Sequence, residues 1–250
     1  MTNLWQTCAL ENATRHIAGL LYRLVESQEQ VATMQLVDSL EAQSLLEELL
    51  EAAKPPPAPG SEKLHYLLCT PFRYPPLRYG SRYGARHEPS LFYGARTPAT
   101  VLAESAYYRF VFWHGMQSPP PAPIRSEHTL FSARYATARG LQLQHAPCAE
   151  QRAILAHPSD YTATQALGSA MREAAIDAFE FPSARCPKGG TNVALFTPAA
   201  FAARRPREMQ QWLCETGAEE VTFAHAHNRA LHHFPIDTFT VDGALPWPAG

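Results

Sequence analysis

The chain contains no CxxC pair. Its five cysteines, Cys8, Cys69, Cys148, Cys186 and Cys214, are scattered and odd in number, which argues against a disulfide framework or a cysteine-rich zinc site. It lacks a strong charge of either sign. The formal net charge is −2, so there is no basic field to hold nucleic acid by phosphate neutralisation. No uninterrupted apolar run approaches the roughly 20 residues that span a bilayer. The opening stretch MTNLWQTCALENATRH is too polar for the apolar region of a secretory signal, and the cytoplasm is the expected location. No GxGxxG follows an expected strand, and no GxxxxGK ending in Ser or Thr occurs, so neither a Rossmann nucleotide site nor a P-loop is indicated. Internal repeats are absent too. What is present is 250 residues, 46% apolar and 18% charged, a globular chain of one large domain or one domain plus an appendage.

Residues 1–54 read as helical. Ile17, Leu20, Leu21, Leu24 and Val25 recur at three- and four-residue steps, as do Leu36, Leu40, Leu45, Leu46, Leu49 and Leu50. Asp38 with Glu41 fits a capping box. This segment carries no catalytic cluster, and a packing or oligomerisation role is expected. Pro55, Pro56, Pro57 and Pro59 then end any helix. They divide the chain into an N-terminal helical segment with a proline linker, 1–59, and a second domain, 60–250.

From Leu64 the texture changes. LHYLLC (64–69), LFYGA (91–95), HTLFSARYAT (128–137), AIDAFEF (175–181), NVALF (192–196) and EEVTFA (219–224) read as short strands. One helix is expected between Thr97, an N-cap followed by Pro98, and Gly115. A second is expected over about 159–174. The proline run 118–123 is a surface loop. The fold class is therefore α+β with a mixed sheet.

Within the first of those helices Glu104 stands out. Between Val101 and Trp113 the ionisable groups at neutral pH are Glu104 and Arg109, about 140° apart around the helix and so not a same-face pair. Glu104 shares a face with Val101, Tyr107, Tyr108 and Val111. A carboxylate there is costly unless something in a cleft uses it or a strand backbone satisfies it. Upstream, FRYPPLRYGSRYGAR (72–86) supplies Arg73, Arg78, Arg82 and Arg86, with Arg96 close behind. Their planar forks suit phosphate oxygens, although a solvated basic loop would look the same. Tyr74, Tyr79, Tyr83 and Tyr93 offer stacking faces. Downstream, Ser183 follows a strand end, where a turn serine is also ordinary. The tail AHAHNRALHHF (224–234) places His225, His227, His232 and His233 together, but no carboxylate or cysteine completes a zinc set, and no metal is assigned. Cys186 has no close histidine in sequence to activate it.

Taken together, GSRYG (80–84), LFYGARTPATVLAESAYYR (91–109) and PSARCPKGGTNVALF (182–196) resemble the RES domain, named for its arginine, glutamate and serine. The arginine after the GS pair is Arg82. The tyrosine closing a strand before the helix is Tyr93, and the glutamate of the ALAE-like segment is Glu104. Ser183, Arg185, Gly189, Gly190 and Asn192 fall on the serine motif, and the family's earlier arginine matches Arg73. The resemblance covers roughly residues 66–200.

The resemblance implies a fold similar to ADP-ribosylating toxins and a toxin that breaks the nicotinamide–ribose bond of NAD⁺. Phosphorolysis, hydrolysis and ADP-ribosyl transfer are the three outcomes it allows, with inorganic phosphate a co-substrate in the first. It also implies an Xre-type antitoxin partner with a DUF2384 region. Glu104, Arg82 and Ser183 would be catalytic; Arg73, Arg82, Tyr93, Ser183 and Asn192 would bind the dinucleotide. A mono-ADP-ribosyltransferase acting on a protein, or a non-catalytic module that binds antitoxin or nucleotide, are the rival readings.

Overall fold

The computed structural model describes residues 3–27, 37–76 and 78–248. Eight strands form one mixed sheet in the order β1-β2-β5-β4-β3-β6-β7-β8. They are β1 (Arg15–Glu26), β2 (Phe92–Ala95), β3 (Ile124–Gln142), β4 (Ala178–Pro182), β5 (Thr191–Leu195), β6 (Glu208–Thr216), β7 (Glu220–His225) and β8 (Leu231–Pro235). The longer helices are α1 (Leu40–Ala53), α2 (Tyr66–Arg73), α3 (Pro98–His114) and α4 (Thr162–Glu173). The expected α+β class with a mixed sheet is what forms.

The long strand β3 organises the sheet. Its first half pairs with β6 from Ile124↔Thr216 to Ser132↔Glu208, and its end runs parallel to β4. On its other edge it pairs with β1 from Arg15↔Gly140 to Glu26↔His128. Since β1 also pairs with β2, the strands β1-β2-β5-β4-β3 close into a ring, and β6–β8 extend from it as an antiparallel wing. Closure removes sheet edges that would otherwise need covering. The parallel β3–β4 step needs a crossover, and that crossover carries α4.

One face of the ring packs Ile17, Leu21, Phe92, Phe131, Tyr135, Val193 and Leu195 under Leu67, Leu68 and Phe72 of α2. A second cluster joins Tyr83, Phe179 and Phe181 to Leu167 and Met171 of α4. The third lies beneath α3, where Leu102, Ala106, Tyr107 and Phe110 meet Cys214, Val221 and Phe223 of the wing. The start of α3 is fixed locally: the Thr97 hydroxyl accepts from the Thr100 amide at 3.2 Å, Pro98 opens the helix and Gly115 caps its end.

Three expectations need correction. Residues 15–26 are a strand, not a helix, because both faces of β1 are covered: Ile17 and Leu21 pack inside the ring, while Tyr22 and Leu24 pack toward α3. A strand apolar on both faces also satisfies a three- and four-residue periodicity. A cut after residue 59 would therefore run through this sheet. Residues 66–69 open the helix α2 rather than forming a strand, with His65 as its cap: the His65 ring nitrogen accepts from the Leu67 amide at 3.3 Å, and Arg73 ends that helix. The cap of α1 is Ser39, whose hydroxyl accepts from the Ala42 amide at 3.1 Å, and not Asp38. Leu36, included in the periodicity, lies outside the described residues. The strands β6 and β8 were not anticipated. Among the described residues no helix is long and apolar enough to cross a membrane.

Candidate active site

The β4–β5 hairpin and α3 bring three of the expected residues together. In the hairpin, Phe181 lies opposite Asn192, and Ser183 follows two residues later. Its turn is closed by the Ser183 amide donating to the Gly190 carbonyl at 2.8 Å. Gly190 is required by proximity: a Cβ there would sit 2.2 Å from the Thr100 hydroxyl on α3. That close approach places α3 directly on the hairpin, one turn ahead of Glu104.

Glu104 is half-buried and doubly held. Its Oε1 accepts from the Ser183 hydroxyl at 2.5 Å and from the Asn192 amide at 2.7 Å. Among the described residues its Oε2 accepts no hydrogen bond. Ser183, 2% exposed, itself accepts from the amides of Arg185 at 3.2 Å and Cys186 at 3.0 Å. With two donors on its oxygen and its proton committed to Glu104, the Ser183 hydroxyl is saturated. Asn192 is different: its Oδ1 is buried and has no partner among the described residues.

Arg82 stands beside this unit. Its guanidinium carbon lies 4.4 Å over the Tyr161 ring, and Nη1 donates to the His157 carbonyl at 2.7 Å. Tyr107, one turn beyond Glu104, has its hydroxyl pushed up to about 12 by burial, against the lowering pull of Arg185 and Arg82. Glu104, Ser183 and Asn192 thus form one hydrogen-bonded unit, and Arg82 acts with Glu104 on the same Tyr107 hydroxyl.

Tyr93 plays a supporting part. Its hydroxyl accepts from the Tyr83 amide at 3.1 Å and pairs with the Ser81 hydroxyl at 2.9 Å. It thereby braces the turn that carries Arg82, and burial raises its pKa above the ordinary phenol value. Arg73 does not join the group: its guanidinium is engaged by Glu51 at 2.6 Å and by the Pro55 carbonyl. Arg96 is also committed elsewhere, to Glu180 and the Tyr135 hydroxyl, each at 2.7 Å. Burial pushes the Glu180 carboxyl up, but donors from Tyr135, Gln142 and Gln144 and the charge of Arg96 outweigh it, so its pKa lies below the ordinary value. Arg78 lies over Tyr79 and Arg86 is exposed. Of the arginines read as phosphate forks, Arg82 is the one that acts, with Glu104, on the Tyr107 hydroxyl.

The structure adds residues that sequence reasoning did not assign. Tyr107 and Tyr161 flank the cluster, and Arg185 lies over Tyr107 with its guanidinium carbon 3.4 Å from the ring centroid. In sequence the available signal was that Tyr107 shares a helix face with Glu104 and that Arg185 falls on the serine motif, two residues after Ser183, with no role attached to either. Among the described residues no group of three His, Cys, Asp or Glu is arranged to hold a metal ion.

A family model described as the RES domain matches residues 57–216, more than half of the chain. The chain belongs to the RES family. The matched span begins after α1 and ends with β6, so this RES domain recruits β1 from outside it to close its ring. Among solved structures, the crystal structure of the M. tuberculosis MbcT–MbcA toxin–antitoxin complex is similar to this chain. It has a TM-score of 0.49 and 13% identity over 84% of this chain and 91% of that one. No curated protein matches the chain.

Proposed function

We propose that this RES protein is a toxin enzyme that cleaves the nicotinamide–ribose bond of NAD⁺, by phosphorolysis or hydrolysis. The observation that carries the reading is the grip on Glu104, whose Oε1 is fixed by Ser183 and Asn192 while Oε2 accepts no hydrogen bond among the described residues; Oε2 would then serve the ligand. Nicotinamide in NAD⁺ is already cationic and departs neutral, so little acid help is needed. The barrier lies in an oxocarbenium-like ribose. A fixed carboxylate facing that ribose stabilises the transition state more than the ground state.

Each neighbouring residue then has a task. Ser183 and Asn192 act as positioning residues for the carboxylate, since the saturated Ser183 hydroxyl has no proton left for substrate. The unpartnered Asn192 Oδ1 would accept from a ribose hydroxyl or the nicotinamide amide. Arg82 would hold diphosphate oxygens. Tyr93 would shape the nicotinamide side by bracing the Arg82 turn through its hydroxyl rather than by offering that hydroxyl to substrate. Arg73, tied to Glu51, would bind the dinucleotide only after breaking that pair. The cognate partner we propose is an Xre-type antitoxin with a DUF2384 region, which follows from the family resemblance, and the cytoplasm is where such a pair would act.

Mass spectrometry of NAD⁺ products, with and without phosphate, tests the reading. ADP-ribose 1″-phosphate or free ADP-ribose supports it. An ADP-ribosylated protein as the product would replace it with the transferase reading, and intact NAD⁺ under all conditions would overturn it.

A further inference from the structure

Arg185 has no role in the reading above, yet its backbone and side chain both belong to the site. The residue is 5% exposed. Its amide holds the Ser183 hydroxyl, and its Nη2 donates to the Pro158 carbonyl. Arg82 is mounted in the same way, over Tyr161 and on the carbonyls of His157 and Leu155. The two guanidiniums therefore hang from the adjacent carbonyls of His157 and Pro158, each over a tyrosine ring. Both act on the Tyr107 hydroxyl together with Glu104.

Their partners are neutral. Among the described residues neither arginine forms an ion pair with a carboxylate, and Nε and Nη2 of Arg82 and Nε and Nη1 of Arg185 donate to no protein acceptor. A buried guanidinium without a counter-ion is unfavourable. Carbonyls and ring faces fix its position without cancelling its charge. Two cations stand against the single carboxylate of Glu104, and their free N–H forks match the oxygens of a tetrahedral oxyanion.

We propose that Arg185 and Arg82 together bind a phosphate group, with their free N–H groups donating to its oxygens. The proposal rests on the NAD⁺ reading for the identity of that phosphate, which is either part of the dinucleotide's diphosphate or free orthophosphate. In the second case an orthophosphate oxygen forms the new bond to ribose C1 as the C1–N bond breaks. The electron pair of that bond returns to the pyridine ring, and nicotinamide leaves neutral.

The test uses the full chain, titrated with pyrophosphate and with orthophosphate by calorimetry and by thermal unfolding, against chloride at matched ionic strength. Arg185→Gln and Arg185→Lys should each weaken binding of at least one of the two by about 10-fold or more, since lysine keeps charge but not the fork. Arg125→Gln, an exposed arginine paired with Glu215, should leave it unchanged. Turnover then separates the sources. A raised KM for NAD⁺ with and without orthophosphate assigns the site to the diphosphate. An unchanged KM with loss of the orthophosphate dependence assigns it to the co-substrate. Two folded Arg185 variants with wild-type affinity for both anions would overturn the proposal. So would a wild-type protein whose unfolding temperature neither anion raises above the chloride control, a measurement that needs no variant. Anion binding that depends on Arg185 in a protein that leaves NAD⁺ intact would keep the anion site and reject the NAD⁺ reading.

Discussion

At the scale of single residues, the site is an argument about how one carboxylate is held. Glu104 projects from an otherwise apolar stretch of α3, and two donors converge on the same oxygen. Replacing it with glutamine keeps size and polarity but removes the charge. Glu104→Gln should lower the rate of NAD⁺ loss by about 10²–10³-fold, with the unfolding temperature near wild type; unchanged turnover would exclude an electrostatic role. Arg82 makes a different kind of contact, a planar fork over a tyrosine face. Arg82→Lys should therefore damage kcat/KM nearly as much as Arg82→Ala. If steady-state kinetics of the lysine variant match wild type, Arg82 is a solvated loop arginine and nothing more.

At the scale of elements, α3 and the β4–β5 hairpin have to approach within contact distance. Gly190 is what permits it, because a methyl group there would meet Thr100 at 2.2 Å. Gly190→Ala should push hairpin and helix apart and separate Ser183 and Asn192 from Glu104. The expected result is a loss of activity at least 10-fold larger than the loss of fold would explain, a ~1 Å misplacement being enough to cost about 10²-fold; activity and circular dichroism measured together would show it. The helix itself was legible because its signals are local: Thr97, Pro98 and Gly115 mark its ends without reference to the rest of the chain. So was Glu104, a lone carboxylate among apolar neighbours. Ser183 and Asn192 were reached through family resemblance, since only the hairpin register turns two separated polar residues into one grip. Arg185 and Tyr107 were placed but given no role, and Tyr161 was not singled out, because the mounting of the two arginines depends on the carbonyls of His157 and Pro158 and on the Tyr161 ring, which only the fold brings to them. β1 was misread for a physical reason too: burial on both faces erases the alternation that marks an ordinary strand.

At the scale of the whole molecule, two predictions concern stability. His128 on β3 is buried beside Ser126, with Arg109 and Glu26 near it. Burial first, and then the charge of Arg109, depresses its pKa to about 4. The unfolded chain binds this proton near 6.5, so the native state is favoured fully above that value and loses stability as pH falls from about 6.5 toward 4. The loss between pH 7 and pH 5 should be about 2 kcal/mol from this residue. Denaturant unfolding of wild type and His128→Gln across that range would measure it, and parallel pH slopes would show that His128 contributes nothing.

The other stability prediction concerns where the RES domain begins. The family match starts at residue 57, and the proline-rich segment around 55–59 invites a cut there. The sheet argues against it. Removing residues before Gly60 would delete β1, which pairs with β3 over nearly its whole length and closes the ring. It would also remove Leu4, Leu10, Ile17 and Leu21, each at most 3% exposed. At roughly 1.5–3 kcal/mol for each fully buried aliphatic side chain, these four account for about 6–12 kcal/mol, comparable to the 5–15 kcal/mol that typically separates a domain from its unfolded chain. Deleting β1 would in addition expose an unpaired edge along β3. A chain starting at Gly60 should therefore be insoluble or lack cooperative unfolding, whereas one that keeps β1 should fold. Expression, circular dichroism and an NAD⁺ assay on both would decide, and a soluble, active chain starting at Gly60 would show that the ring can do without its first strand.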